Sequence, residues 1–193
     1  MRCTDDRYSG QRQQFDLAVR LLGHEARTHI IARCTGFSQD RIRKLYAAYF
    51  RRRDGQPAIR RQRGKSPSNV AFYVRNATVQ SEATSLACLF AVFGLMEITD
   101  RLETRRAGTR DPLRFAERFC LVYETYLDVH PEHYVSFEHA WNLYFALTER
   151  HDLVLADCQG CGNIYVQDAL ALDRAECPPC RLRGRPAPRV ASG

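Results

Sequence analysis

Apolar residues recur at helical spacing along most of the chain and divide it into a series of helices. From Gln11 to Arg33, the positions Phe15, Val19, Leu22, Ala26 and Ile30 fall on one stripe and predict a single helix. A second helix is expected from about Gln39 to Arg52, with Ser38 as its N-cap. The strongly apolar stretch Ser81 to Arg105 predicts the central core helix. Pro112 is placed to open another helix, which Pro131 ends after His130. His133 to Arg150 carries a further helix around Trp141, the only tryptophan. The aromatics Phe115, Phe119, Tyr123, Tyr126, Tyr134, Tyr144 and Phe145 lie at helical spacing and are assigned mostly to the core. Asp54 to Asn69 breaks the pattern: it is rich in Gly, Pro, Ser and Arg and reads as a basic loop. Leu153-Val154-Leu155 leads into a terminal segment in which Asn163 to Val166 reads as a short strand.

The expected fold is mainly α, a helical body with a helix-turn-helix-like N-terminal half and a small C-terminal four-cysteine zinc module with short β-strands. The expected boundaries are a disordered N-terminus at 1–13, the helical body at 14–152 with its basic loop at 54–69, the zinc module at 153–183 and a disordered tail at 184–193.

The zinc module follows from Cys158-Gln-Gly-Cys161 and Cys177-Pro-Pro-Cys180, two Cys-x-x-Cys pairs separated by fifteen residues. Thiolates at this spacing can surround one tetrahedral ion, and four of them leave no position for water or substrate, so the site reads as structural, with one Zn2+ per chain. Gly162 lets the backbone turn so that amides point at sulfur, whereas Pro178 and Pro179 supply no N–H and stiffen the second knuckle. Two disulfides are the competing reading. No secretory signal opens the sequence, so a reducing, cytoplasmic setting is expected instead. Cys88 and Cys120 sit in apolar stretches as small core residues. No apolar run reaches membrane-spanning length; the longest, Leu86 to Met96, has 11 residues and is interrupted by Gly94.

Charge is unevenly spread. Residues 41–65 hold ten Lys/Arg (Arg41, Arg43, Lys44, Arg51, Arg52, Arg53, Arg60, Arg61, Arg63 and Lys65) against Asp54, a local charge of +9. Residues 174–193 hold five arginines against Glu176, a local +4, so the total of +7 leaves the remainder at −6. A basic stripe on an acidic body is the footprint of a nucleic-acid binder. Arg174, Arg181 and Arg183 are read first as offsetting the negative charge of four thiolates around zinc, with DNA contact left open.

The stretch from Thr28 to Tyr46 has the pattern of a DNA-reading helix-turn-helix. Ala32 is small where two helices cross, Gly36 sits where the turn calls for positive φ, and Ile31, Ile42 and Leu45 face inward. Ser38 caps a second helix whose outward residues are Gln39, Asp40, Arg41, Arg43 and Lys44. Gln39 and the arginines are candidates for base edges, and Lys44 with Arg51, Arg52, Arg53, Arg60, Arg61, Arg63 and Lys65 for phosphates. An αα-hairpin with a glycine turn that merely packs in a core has the same pattern.

The order of these features resembles the FlhC family, flagellar transcriptional activator subunits of bacteria. The resemblance rests on the helix-turn-helix-like half ending in Arg43-Lys44-Leu45-Tyr46, the Ala140-Trp141 helix and the terminal cysteine pairs, and it spans about residues 14–183. It implies zinc ligation by Cys158, Cys161, Cys177 and Cys180, and a match of Arg41, Lys44, Leu45 and Tyr46 to the family's basic stretch. It also implies an FlhD-like partner in a heterohexamer, promoter double-stranded DNA as ligand and recruitment of RNA polymerase. An enzyme is not expected. His130, Glu132, His133 and His139 have no carboxylate cluster or nucleophile motif beside them, and no Gly-rich phosphate loop is present. The alternative is a zinc-stabilised protein-interaction subunit of a regulatory complex without direct base readout.

Overall fold

The computed structural model describes residues 3–50, 59–60, 62, 68–108, 110–172 and 175–183, with side chains from Tyr8 onward. It is mainly helical, with two small antiparallel sheets and a cysteine cluster toward the C-terminus. Two compact units emerge: residues 1–66 with 109–121, and residues 67–108 with 122–193. The division therefore runs through the expected helical body, and residues 153–183 belong to the second unit.

In the first unit, α1 (Cys3–Gly23), α2 (Thr28–Thr35) and α3 (Gln39–Tyr49) enclose Leu17, Ala18, Leu21, Ile30, Ile31 and Ile42, each no more than 2% exposed. Two expectations need correction here. Residues 1–13 were expected to be disordered, but α1 begins at Cys3. The single helix expected from Gln11 to Arg33 is broken after Gly23. Ala26 N–H donates to Leu21 C=O at 3.0 Å and Glu25 N–H to Leu22 C=O at 3.0 Å, the paired bonds of a Schellman stop. Glu25 occupies its left-handed position at φ 58. A non-glycine residue there costs about 1–2 kcal/mol. Glu25 carries the geometry because its carboxylate is held on both oxygens, by Arg60 N–H at 3.1 Å and by Gln62 Nε2 at 2.7 Å. Tyr46 Oη donates to Ile59 C=O. The described stretch of the basic loop is thus tied to the turn between α1 and α2.

The second unit contains α4 (Ala71–Val74), α5 (Ala77–Val92), the hairpin β1 (Met96–Ile98) and β2 (Thr104–Arg106), the C-terminal part of α6 (Pro112–Val129), α7 (Phe137–Phe145), β3 (Leu153–Asp157), β4 (Ile164–Asp168) and the short α8 (Pro178–Leu182). The helix expected from Ser81 to Arg105 ends at Val92. Leu95 N–H reaches Phe90 C=O at 2.8 Å and Gly94, at φ 66, reaches Ala91 C=O at 2.9 Å, so a second Schellman stop turns the chain into the hairpin. The helix expected from His133 begins at Phe137, where Ser136 caps it through His139 N–H, and runs on into a π-helical turn over Ala146–Arg150. Around α5 the core includes a buried carboxyl: Glu82, 2% exposed, accepts from Tyr126 Oη at 2.6 Å and from the N–H groups of Tyr134 and Val135. Three donors satisfy a carboxyl group whose burial without partners would be costly. Among the described residues no helix is long and apolar enough to cross a membrane.

Candidate metal centre and nucleic-acid interface

The cysteine cluster is built from a hairpin and a short helix. Strands β3 and β4 pair from Leu153↔Asp168 to Asp157↔Ile164, and the first knuckle closes their open end. Cys158 N–H donates to Asn163 C=O at 3.0 Å, Gly162 N–H returns to Cys158 C=O at 2.7 Å, and Gly162 takes φ 72 to make that turn. Gln159 N–H bonds Ala175 C=O at 2.8 Å, which brings the second knuckle alongside the first. Cys177 then caps α8, whose first two positions are Pro178 and Pro179. Proline suits these positions because the first N–H groups of a helix have no internal partner.

The four sulfurs lie within 4.8 Å of one another, close enough to hold a metal ion. Cys158, Cys177 and Cys180 are buried and Cys161 is exposed; the seven cysteines whose side chains are described are all unbridged. Gly160 is closely packed here: a Cβ added to it would sit 3.3 Å from Cys180 Sγ, so a larger residue would press on that sulfur. Burial alone would raise the Cys158 thiol. The N–H groups of Cys177, at 3.2 Å, of Cys161 and of Gly160, with the Cys177 side chain, outweigh it and bring the pKa down to about 6. Cys180 moves the other way, to about 12, driven by the Cys177 thiol, burial and the remaining sulfurs. Four sulfurs this close repel one another as anions, and a cation relieves that repulsion. The prolines leave their mark too: among backbone groups, the Cys177 sulfur draws on the N–H of Cys180.

Periodicity did not disclose how the module is held to α5. Gln80, 1% exposed, donates through Nε2 to Val166 C=O at 2.8 Å and accepts from Arg181 Nη2 at 3.0 Å. Thr84 Oγ1 accepts from Val166 N–H at 3.0 Å. These side chains satisfy both backbone groups of an edge-strand residue. Arg181, read from the sequence as a counter-charge to the thiolates, is engaged with Gln80; Arg183 is exposed, and Arg174 lies outside the described residues.

The helix-turn-helix candidate has the local form its sequence predicts. Gly36 stands at φ 72 and ψ 5 and its N–H returns to Ala32 C=O at 2.9 Å. Thr35 Oγ1 donates to Ile31 C=O at 2.7 Å and accepts from Phe37 N–H, which stiffens the turn. Ser38 Oγ accepts from Arg41 N–H at 3.3 Å, Ile31, Ile42 and Leu45 are buried, and Gln39, Asp40, Arg41, Arg43 and Lys44 are exposed. Two of these cations are engaged within the unit: the Arg41 guanidinium lies 3.8 Å from the Phe37 ring centre, and Lys44 pairs with Asp40 at 3.0 Å. Arg60 is exposed beside its anchor on Glu25. Arg51, Arg52, Arg53, Arg61, Arg63 and Lys65 lie outside the described residues.

No protein-family model matches this chain, and no curated protein matches it.

Proposed function

We propose that this chain is a DNA-binding transcriptional activator subunit of the FlhC kind. It acts in the cytoplasm with an FlhD-like partner in a heterohexamer on flagellar promoters, where it recruits RNA polymerase and performs no catalysis. The observation that carries the reading is the α2–α3 turn. A glycine in the left-handed region and a serine cap orient a short helix whose buried side is Ile42 and Leu45 and whose outer side carries Gln39, Arg43 and Lys44. This is the geometry by which a helix enters a major groove, and the adjoining +9 segment supplies phosphate contacts. The metal in this reading is a single structural Zn2+, because an all-sulfur closed set suits that ion and leaves no open coordination position.

Co-expression with the FlhD-like partner, followed by size, zinc and promoter-binding measurements, tests the assembly. Affinity should fall steeply with salt, and replacing Arg51, Arg52 and Arg53 with alanine should flatten that slope by about three. Arg43→Ala should relax sequence preference at one base position by about 1–3 kcal/mol. An unchanged salt slope favours the second reading, a protein-docking subunit. That reading draws on a groove of about 810 Å³ beside α8, lined by the exposed Val129 and Leu182 and by Pro178 and Pro179.

A further inference from the structure

The four sulfurs of the metal centre are not equally accessible. Three are buried, whereas Cys161 is exposed and its Sγ lies 3.7 Å from Cys177 Sγ across the two knuckles. Cys158, its neighbour in the same knuckle, is 1% exposed and its sulfur accepts N–H groups from Cys177, Cys161 and Gly160. A sulfur whose lone pairs are engaged in this way is a poorer nucleophile than one with a single such donor, and Cys177 receives the N–H of Cys180.

We propose that Cys161 is a hydroperoxide-reactive modification site, and that its oxidation closes a Cys161–Cys177 disulfide and expels the metal. The inference rests on the metal-centre reading and extends it to the order in which that centre is dismantled. In the first step the Cys161 sulfur attacks the O–O bond of hydrogen peroxide, forming an S–O bond and releasing hydroxide, which leaves as water on protonation. In the second, the Cys177 sulfur attacks the sulfenic sulfur; the S–S bond forms, the S–O bond breaks and a second water departs. Two metal-bound thiolates, one peroxide and two protons from solvent become one disulfide and two waters, with each sulfur losing one electron and the peroxide gaining two. Cys158 and Cys180 remain, too few to hold a tetrahedral ion.

The test uses the full chain loaded with zinc, freed of reductant and treated with equimolar hydrogen peroxide. Metal content before treatment tests the metal-centre reading alone. Release to a chromogenic chelator and mass-spectrometric mapping of the bridge test the inference. Zinc should leave as the Cys161–Cys177 bridge appears. Cys161→His, which keeps a ligand but removes the thiol, should slow release about ten-fold or more. Should that variant fail to retain zinc, timed iodoacetamide labelling of the unaltered loaded chain decides, with Cys161 expected to react about ten-fold ahead of the other three. A Cys158–Cys161 bridge, equal labelling of all four sulfurs, or undiminished release in Cys161→His overturns the proposal.

Discussion

Gly36 and Gly162 share a backbone angle, φ 72 in each case, yet the turns they make are completed by different means. The turn at Gly36 is self-sufficient. Its carbonyl and amide bonds, the Thr35 hydroxyl and the Ser38 cap satisfy the chain locally, and Ile31 and Ile42 bury the hinge. The turn at Gly162 is closed by two backbone bonds of its own, but it also sets Cys158 and Cys161 into a cluster of four sulfurs close enough to hold a metal ion, and thiolates that close repel one another unless a cation lies between them. A glycine in the left-handed region is therefore only the geometric part of a turn. What closes the turn decides whether its stability is built into the chain or supplied from outside.

With the proposed Zn2+ in the cysteine cluster, the largest test of this contrast is removal of that metal. A chelator, or Cys158→Ser, should forfeit most of a contribution of about 10–16 kcal/mol. Hydrogen exchange should show β3, β4 and α8 losing protection while α2 and α3 keep theirs; an equal loss in both would break the contrast. Next comes Gln80→Leu, which leaves Val166 C=O without its donor and should cost about 1–3 kcal/mol in a denaturant titration of the zinc-loaded chain. A sharper comparison applies the same change to both turns. No atom lies within 4 Å of a Cβ added at either glycine, so alanine meets only the backbone penalty, about 1–2 kcal/mol. At Gly36 that loss should appear as stability of the first unit. At Gly162 it should appear as a roughly ten-fold drop in zinc affinity, the same free energy in another form. The smallest effect is expected for Ser38→Ala, about 1 kcal/mol, with no change in metal binding.

Much of the cysteine cluster was legible because the form of each knuckle is local. Two Cys-x-x-Cys spacings, a glycine after Cys161 and paired prolines at the start of α8 act within a few residues, where chain geometry alone limits the outcome. The same holds for Gly36, for the Ser38 cap and for Pro112 as the start of α6. The stop after α1 was hidden because its left-handed position is filled by Glu25, and the residues that hold it there are Arg60 and Gln62, more than thirty positions on. The hairpin after α5 was hidden for another reason. A continuous apolar run fits a buried helix and a buried strand alike, and Gly94, an interruption by its pattern, is in fact the stop.

The sequence by itself determined a mainly helical chain, the turn at Gly36 with its capped basic helix, and two Cys-x-x-Cys knuckles, because each depends on spacings shorter than one element; the four sulfurs are brought together by the Gln159–Ala175 bond across fifteen residues. Only the tertiary structure decided that the cysteine module is fastened to α5 by Gln80 and Thr84 and that the buried Glu82 carboxyl takes its donors from Tyr126, Tyr134 and Val135. These are pairings of polar groups far apart in the chain. Their partners are chosen by which donors and acceptors are buried together, and hydrophobic periodicity carries no record of that choice.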